Sequence, residues 1–268
     1  MLLAAAAANS ILADKNQRVT PPEMNNFPPP IRLICLPYAG GSTACFEPLR
    51  AHFPPFVELA ELSLPGRGRR YHEPLLDTAQ AMTDDLWRQL EPMTGGPYAL
   101  LGHSMGSLLG WLLCHRIVSA GRRPPLHVFL SGREGPSVPH KEPYEHRLPY
   151  AAFKAKLEGY GGIAAEITQD EAVFSFFEPM IRADFRATEL WTYDGIYAPL
   201  PLPATVFSAT GEDNTEEEIH AWSREFAGAI SFERFEGSHF FLFEQAEAFV
   251  ERLLLRLSVY DRHGGSRS

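Results

Sequence analysis

The sequence predicts an α/β fold, a mostly parallel central sheet flanked by helices, on two observations. Short apolar runs alternate with longer helical stretches from residue 31 onward. A serine bracketed by glycines stands where one of those runs meets the next helical stretch. Strands that alternate with helices form βαβ units with right-handed crossovers, and such units make a sheet parallel.

The strands are expected at residues 31–36, 57–62, 98–102, 127–131, 204–209 and 230–235, with 31–36 reading as a buried strand. Between them lie helical patterns. Residues 78–90 place Met82, Leu86 and Leu90 on one helix face, residues 107–119 form a mostly apolar helix, and 216–226 and 241–257 are amphipathic. The segment 136–197 breaks the rhythm, with helix-like pieces at 150–157 and 170–177 and no good buried strand. It is expected to be a helical insertion over the carboxyl edge of the sheet, where sites in such folds form, and so to act as a lid.

One domain is expected over residues 31–260. Residues 1–30 read as a leader or linker, polar and proline-rich from residue 9, and 261–268 read as a loose tail. The Leu/Ala-rich start has no basic flank of the kind a signal peptide carries.

Composition narrows the function. Acidic residues number 33 against 24 basic ones, a formal charge of −9, which argues against a nucleic-acid binder. Local basic patches remain at Arg67, Arg69 and Arg70, and at Arg122 and Arg123. No apolar run approaches the roughly 20 residues that span a bilayer, so no membrane association is expected. The three cysteines, Cys35, Cys45 and Cys114, form no CxxC pair, which suits a reduced, cytoplasmic protein. No HExxH motif or other metal site is seen.

The chemistry is concentrated in Gly102-His103-Ser104-Met105-Gly106, which fits G-x-S-x-G. The pattern alone is common, but its context is specific: the strand 98–102 precedes it and the helix 107–119 follows. That strand–turn–helix setting is the nucleophile elbow of the α/β-hydrolase fold. Side chains at Gly102 and Gly106 would collide across so tight a turn. A serine hydroxyl needs a general base, and the base needs an orienting carboxylate. In this fold they follow in the order Ser, acid, His. His239, in the loop after the strand 230–235, is the candidate base. Asp213, just past the strand 204–209, is the candidate acid; its neighbour Glu212 is the alternative, and a helix-capping role for Asp213 is the bland one. Two backbone N–H groups must bind the oxyanion. Met105, which follows the nucleophile, and Ala39, in Pro37-Tyr38-Ala39-Gly40-Gly41-Ser42, are the candidates, with Tyr38 the neighbour that could replace Ala39.

With these pieces in place the chain resembles the type II thioesterases, stand-alone partners of non-ribosomal peptide and polyketide synthases. Beyond the elbow the resemblance rests on Leu36-Pro37-Tyr38-Ala39-Gly40-Gly41-Ser42, Leu64-Pro65-Gly66-Arg67-Gly68-Arg69, Ser131-Gly132-Arg133, Met180-Ile181-Arg182-Ala183-Asp184-Phe185 and Gly237-Ser238-His239-Phe240-Phe241. It runs from about residue 31 to 260. It implies a catalytic set of Ser104, Asp213 and His239, with the N–H groups of Met105 and Ala39 as oxyanion donors. Asn214 stands where the family usually has proline after the acid. The resemblance also implies hydrolysis of stalled or wrongly loaded acyl thioesters from the phosphopantetheine arm of carrier domains, with no cofactor of the enzyme's own, by a monomer. The lid residues Phe174, Phe176, Phe177, Met180 and Phe185 are candidates for an apolar chamber, and Arg69 and Arg70 for docking an acidic carrier. A chain-releasing thioesterase, a general esterase or lipase, and a non-catalytic module on a hydrolase scaffold are the competing readings.

Overall fold

The computed structural model describes residues 29–141, 143–161 and 168–261. The leader up to residue 28 and the tail from 262 lie outside the described residues. Six strands form one sheet, β1 (Ile31–Leu36), β2 (Val57–Glu61), β3 (Tyr98–His103), β4 (Val128–Ser131), β5 (Ala204–Ala209) and β6 (Ile230–Phe235), in the order β2-β1-β3-β4-β5-β6. Every neighbouring pair is parallel. All six lie where the apolar runs place them, to within a residue at either end. The sheet is therefore fully parallel among the described residues.

Strand alternation sorts the core into two layers. Ile34 and Leu36 of β1 face one side, with Leu100, Leu130 and Val206. They pack on α2 (Ala79–Leu90) and α3 (Met105–Ser119). Leu33 and Cys35 face the other side, with Leu101, Phe129 and Phe207. Those pack on α1 (Glu47–Arg50), α7 (Phe241–Glu244) and α8 (Ala246–Asp261). Because both faces are covered, the central strands carry few polar side chains. α3 runs along the middle of the sheet and is buried almost all round, from Met105 to Cys114, which explains its lack of an amphipathic pattern.

Helix ends follow local chemistry. The Thr78 hydroxyl accepts from the Ala81 N–H at 3.2 Å and starts α2. α6 (Glu216–His220) opens with a capping box between Thr215 and Glu218. Residues 221–224 continue it only as a 3-10 turn. The expected helix over 241–257 is instead two, α7 and α8, broken at Gln245. The break has a cause: the Gln245 side chain turns back to donate to the Glu236 carbonyl, which ties α7 to the preceding loop.

Between β4 and β5 the chain forms α4 (Tyr150–Tyr160) and α5 (Glu171–Glu189). α5 begins at Asp170, whose carboxylate caps the Ala172 and Val173 N–H groups, and runs on through Pro179, well beyond the expected helical piece. Phe153, Leu157, Phe174, Met180 and Ile181 bury a small core of their own between the two helices. Of the candidate chamber residues, Phe174 and Met180 belong to that core, Phe177 and Phe185 flank it, and Phe176 is exposed.

The tightest contact between α3 and β1 is at Gly106. A Cβ there would lie 2.0 Å from the Leu36 carbonyl oxygen, whereas one on Gly110 would meet only the tip of the Leu36 side chain at 3.2 Å. Gly106→Ala must push backbone against backbone, a cost at or above the usual 1–3 kcal/mol of overpacking, while Gly110→Ala should lie within about 1 kcal/mol of the parent. Urea denaturation midpoints of the two variants check this difference.

Burial also sets a pH response. His127, just before β4, bonds the Thr205 hydroxyl at 2.9 Å, and burial holds its pKa down at about 4 against an ordinary 6.5. Its folded-state value is depressed, so between those two pH values the unfolded chain binds the extra proton. The stability it contributes is complete above pH 6.5 and is lost as pH falls toward 4. Glu145 and Glu225, raised by burial, act in the opposite sense and are common to any His127 variant. His127→Gln should therefore lose less Tm than the parent between pH 7 and pH 5, as thermal melts at both values would show.

Candidate active site

Ser104 sits at the junction of β3 and α3 with φ 54° and ψ −114°, and is the one non-glycine residue with positive φ among the described residues. Such a conformation costs roughly 1–3 kcal/mol and persists only where its surroundings hold it. They do so from three sides. The Ser104 N–H donates to the Ser131 carbonyl at 2.7 Å, tying the turn to the end of β4. The Ser107 hydroxyl lies 2.9 Å from both the Gly102 and Ser131 carbonyls and accepts from the Ser131 N–H at 3.0 Å. Gly102 could carry no side chain, since its Cβ would lie 2.2 Å from the Gly106 carbonyl oxygen. Ser104 itself is half-buried, and its side chain makes no capping bond to α3. Its hydroxyl therefore stands at the carboxyl edge of the sheet, over the N-terminal end of a buried helix.

His239 comes from the loop after β6. Gly237 turns that loop at φ 126°, and its carbonyl accepts the Gly211 N–H at 2.9 Å, which joins it to the loop after β5. The His239 ring lies beside His103, with centroids 4.7 Å apart, and so beside the residue that precedes the nucleophile. Gly132 makes room for both: a Cβ there would come within 2.6 Å of the His103 ring and 2.9 Å of the His239 ring. His103 is fully buried, with Nδ1 3.1 Å from the Ser131 hydroxyl. Burial, and then the neighbouring His239, hold its pKa well below the usual histidine range. It is a neutral packing partner, as a residue inside the elbow should be.

The carboxylate on His239 is that of Glu212. Its Oε1 lies 2.6 Å from His239 Nδ1, and its side chain is 4% exposed. Its other oxygen accepts the Ala209 N–H at 2.8 Å, so the group is fixed to the end of β5. Asp213, expected in this place, is exposed and makes no hydrogen bond among the described residues. Neither does it cap α6, since Thr215 does. The reason is reach. The turn after β5 directs Glu212 inward and Asp213 outward, and the extra methylene of glutamate spans the distance from one position earlier. With a carboxylate on Nδ1, the proton belongs on that nitrogen and Nε2 is left with its lone pair.

The loop after β1 forms a turn at Tyr38–Gly41, with the Gly41 N–H donating to the Tyr38 carbonyl at 2.9 Å. It lies directly against the elbow: a Cβ on Gly106 would also meet the Pro37 carbonyl at 2.9 Å. Neither the Ala39 N–H nor the Met105 N–H has a hydrogen-bond acceptor among the described residues. Met105 is the first residue of α3, where helix donors lack internal partners. The two donors expected for an oxyanion thus come from adjoining segments, while Tyr38 is engaged through its ring with His103 and Phe240.

Arg70, a docking candidate, is engaged within the chain. Its guanidinium binds Asp85 and Glu73 and donates to the Ser63 carbonyl. Arg69 beside it is exposed. Among the described residues no group of side chains could hold a metal ion, and no helix is long and apolar enough to cross a membrane.

The thioesterase-domain family profile matches residues 31–256. The chain belongs to the thioesterase family. Its relatives include the gramicidin S biosynthesis protein GrsT of Aneurinibacillus migulanus, 31% identical over 85% of this chain and 90% of that one. Among solved structures, the type II thioesterase BorB from the borrelidin biosynthetic cluster is 30% identical, with a TM-score of 0.77 over 86% of this chain and 95% of that one. ClbQ, from the colibactin NRPS/PKS pathway, is 28% identical with a TM-score of 0.82, over 88% of this chain and the whole of that one. The thioesterase is thus a serine hydrolase acting on thioesters, and its relatives include type II thioesterases, BorB among them, and proteins of non-ribosomal peptide and polyketide pathways.

The carboxylate that meets the histidine lies one residue earlier than expected, and sequence reasoning passed over Ser107. The first difference has no local signal, because either carboxylate suits the motif. The second could have been read: a serine three residues after the nucleophile, at the start of an apolar helix, has little to bond except the elbow itself. Glu212→Gln should lower kcat/KM by roughly 10³- to 10⁴-fold, as loss of the orienting carboxylate does in other serine hydrolases. Asp213→Asn should stay within about threefold of the parent, and steady-state kinetics on a short acyl thioester decides between the two.

Proposed function

We propose that this thioesterase removes stalled or wrongly loaded acyl groups from the phosphopantetheine arm of carrier domains, by an acyl-enzyme mechanism on Ser104, His239 and Glu212. The observation that carries the mechanism is the Glu212–His239 contact at 2.6 Å, with the His239 ring packed on that of His103, the chain neighbour of the strained serine. The relatives' place in assembly-line pathways supports the substrate.

The proposed steps run as a serine acyl-transfer cycle. His239 Nε2 takes the proton of Ser104 as Oγ attacks the thioester carbon. Glu212, held by the Ala209 N–H, keeps the other ring nitrogen protonated and favours the charged imidazolium that forms. The N–H groups of Met105 and Ala39 bind the developing oxyanion, an interaction typically worth roughly 3–4 kcal/mol per donor. His239 then gives its proton to the departing thiol, and in the second half it activates water against the acyl-enzyme. Ser104 is regenerated and the acid released. The phosphopantetheine belongs to the partner, and the reaction needs no cofactor held by the enzyme.

The helices α4 and α5 act as the lid of this site. They stand over it through Tyr160, whose ring lies 6.3 Å from that of His239, and through Ile181 against the Tyr38–Gly41 turn. A long, mostly uncharged arm suits passage beneath such a cover, with the carrier domain docked outside.

The test uses a purified carrier domain loaded with short acyl groups and intact-protein mass spectrometry. The parent enzyme should return the free-thiol form. Ser104→Ala should leave the acyl-carrier mass at the uncatalysed rate, and the matching oxygen esters should turn over more slowly than the thioesters. Faster cleavage of the oxygen esters would favour a general esterase instead. Release confined to mature chains would favour product release.

A further inference from the structure

Arg67 and Asp184 are among the most buried charges in the molecule, with side chains 4% and 0% exposed. They come from distant segments: Arg67 from the loop after β2 and Asp184 from α5. They meet in a two-point ion pair, Nη1 to Oδ2 and Nη2 to Oδ1, each 2.7 Å. The same atoms hold the turn after β1. Asp184 Oδ2 accepts the Gly40 N–H at 2.8 Å, and Arg67 Nη1 donates to the Gly41 carbonyl at 3.1 Å. Gly40 must be glycine here: its φ is 81°, and a Cβ would sit 3.1 Å from Ile181 of α5.

Peptide planarity turns these contacts into a statement about Ala39. The trans peptide between Tyr38 and Ala39 points its N–H opposite to its C=O. That C=O faces into the turn, toward the Gly41 N–H, so the Ala39 N–H points out of it. Whether it stays there depends on what holds Gly40 and Gly41, and both are held by the ion pair. Stability alone is a poor reason for such a pair, because desolvation offsets most of the attraction, and apolar replacements of a buried ion pair often fold as well or better. The Arg67 Nε has no hydrogen-bond partner among the described residues, which adds to the cost.

We infer that Arg67 and Asp184 are positioning residues for the oxyanion turn, and that through Asp184 the seating of α5 is coupled to the competence of Ala39 as a donor. The inference rests on the proposed role of Ala39 in thioester hydrolysis. With α5 seated, Asp184 and Arg67 fix the turn. With α5 displaced, the Gly40 N–H loses its acceptor and the donor beside it loses its aim. The enzyme is then fully active only with its cover in place.

The experiment compares Asp184→Asn, Arg67→Lys and the apolar double variant Arg67→Met/Asp184→Leu with the parent, on a short acyl thioester and with a boronic acid that forms a tetrahedral adduct on serine. Each variant should lose roughly 10- to 100-fold in kcat, somewhat less than outright loss of a donor, with KM within about threefold. The boronate should lose affinity by a similar factor. The double variant should keep its Tm close to the parent's while still losing kcat, which separates positioning from stability. Parent-like kcat in the folded double variant would overturn the inference, as would a fall in kcat with boronate affinity unchanged. Failure of all three variants to fold would make the pair a folding determinant and also overturn it. A parent enzyme inactive on thioesters would instead sink the functional reading.

Discussion

The close approach of α3 to the end of β1 is the constraint on which the rest of the site depends. Gly106 lies where its backbone meets the Leu36 carbonyl, with no room for a side chain between them. That contact seats the first turn of the helix against the end of β1, next to Ser104 in its positive-φ conformation. It also brings the loop after β1 against the first turn of α3. Ser104 and the loop after β1 thus meet at one packing contact in the middle of a parallel sheet. The sheet, closed on both faces by helices, supplies the rigidity that keeps a strained residue in place.

Around that centre the site is held through the backbone. Glu212 is bound by the N–H of the last residue of β5, the Ser104 N–H by the carbonyl at the end of β4, and the Gly40 N–H by the carboxylate of Asp184 on α5. Ser107 and Gly132 work to the same end, the first by filling the space inside the elbow with a polar bridge, the second by leaving space for two imidazole rings. α4 and α5 share a small core of their own, α5 also joins the main core through Ala187, and the two helices reach the site through Tyr160, Ile181 and Asp184.

Much of this was legible in the sequence, and the rest was hidden for physical reasons. The central strands were plain because strands buried on both faces of a parallel sheet need nearly uninterrupted apolar runs, and Ala99-Leu100-Leu101 of β3 shows the pattern most clearly. The elbow was legible because its glycines are sterically obligatory. The carboxylate that meets His239 was not, because Glu212 and Asp213 are adjacent carboxylates, and only the path of the turn after β5 decides which faces inward. The extent of α5 was hidden by Pro179, which removes one helical hydrogen bond without ending the helix. The break at Gln245 and the engagement of Arg70 both depend on partners outside the local pattern, Glu236 in one case and Asp85 in the other.

The central claim is that Ser104 carries the acyl group between two half-reactions. Rapid quenching of the enzyme during turnover of a slow acyl thioester, followed by peptide mass mapping, tests it most directly. The account predicts an acyl mass increment on the peptide that contains residues 102–106, localised to Ser104. Turnover with the increment on another residue, or with no covalent adduct under conditions where deacylation is rate-limiting, would contradict it.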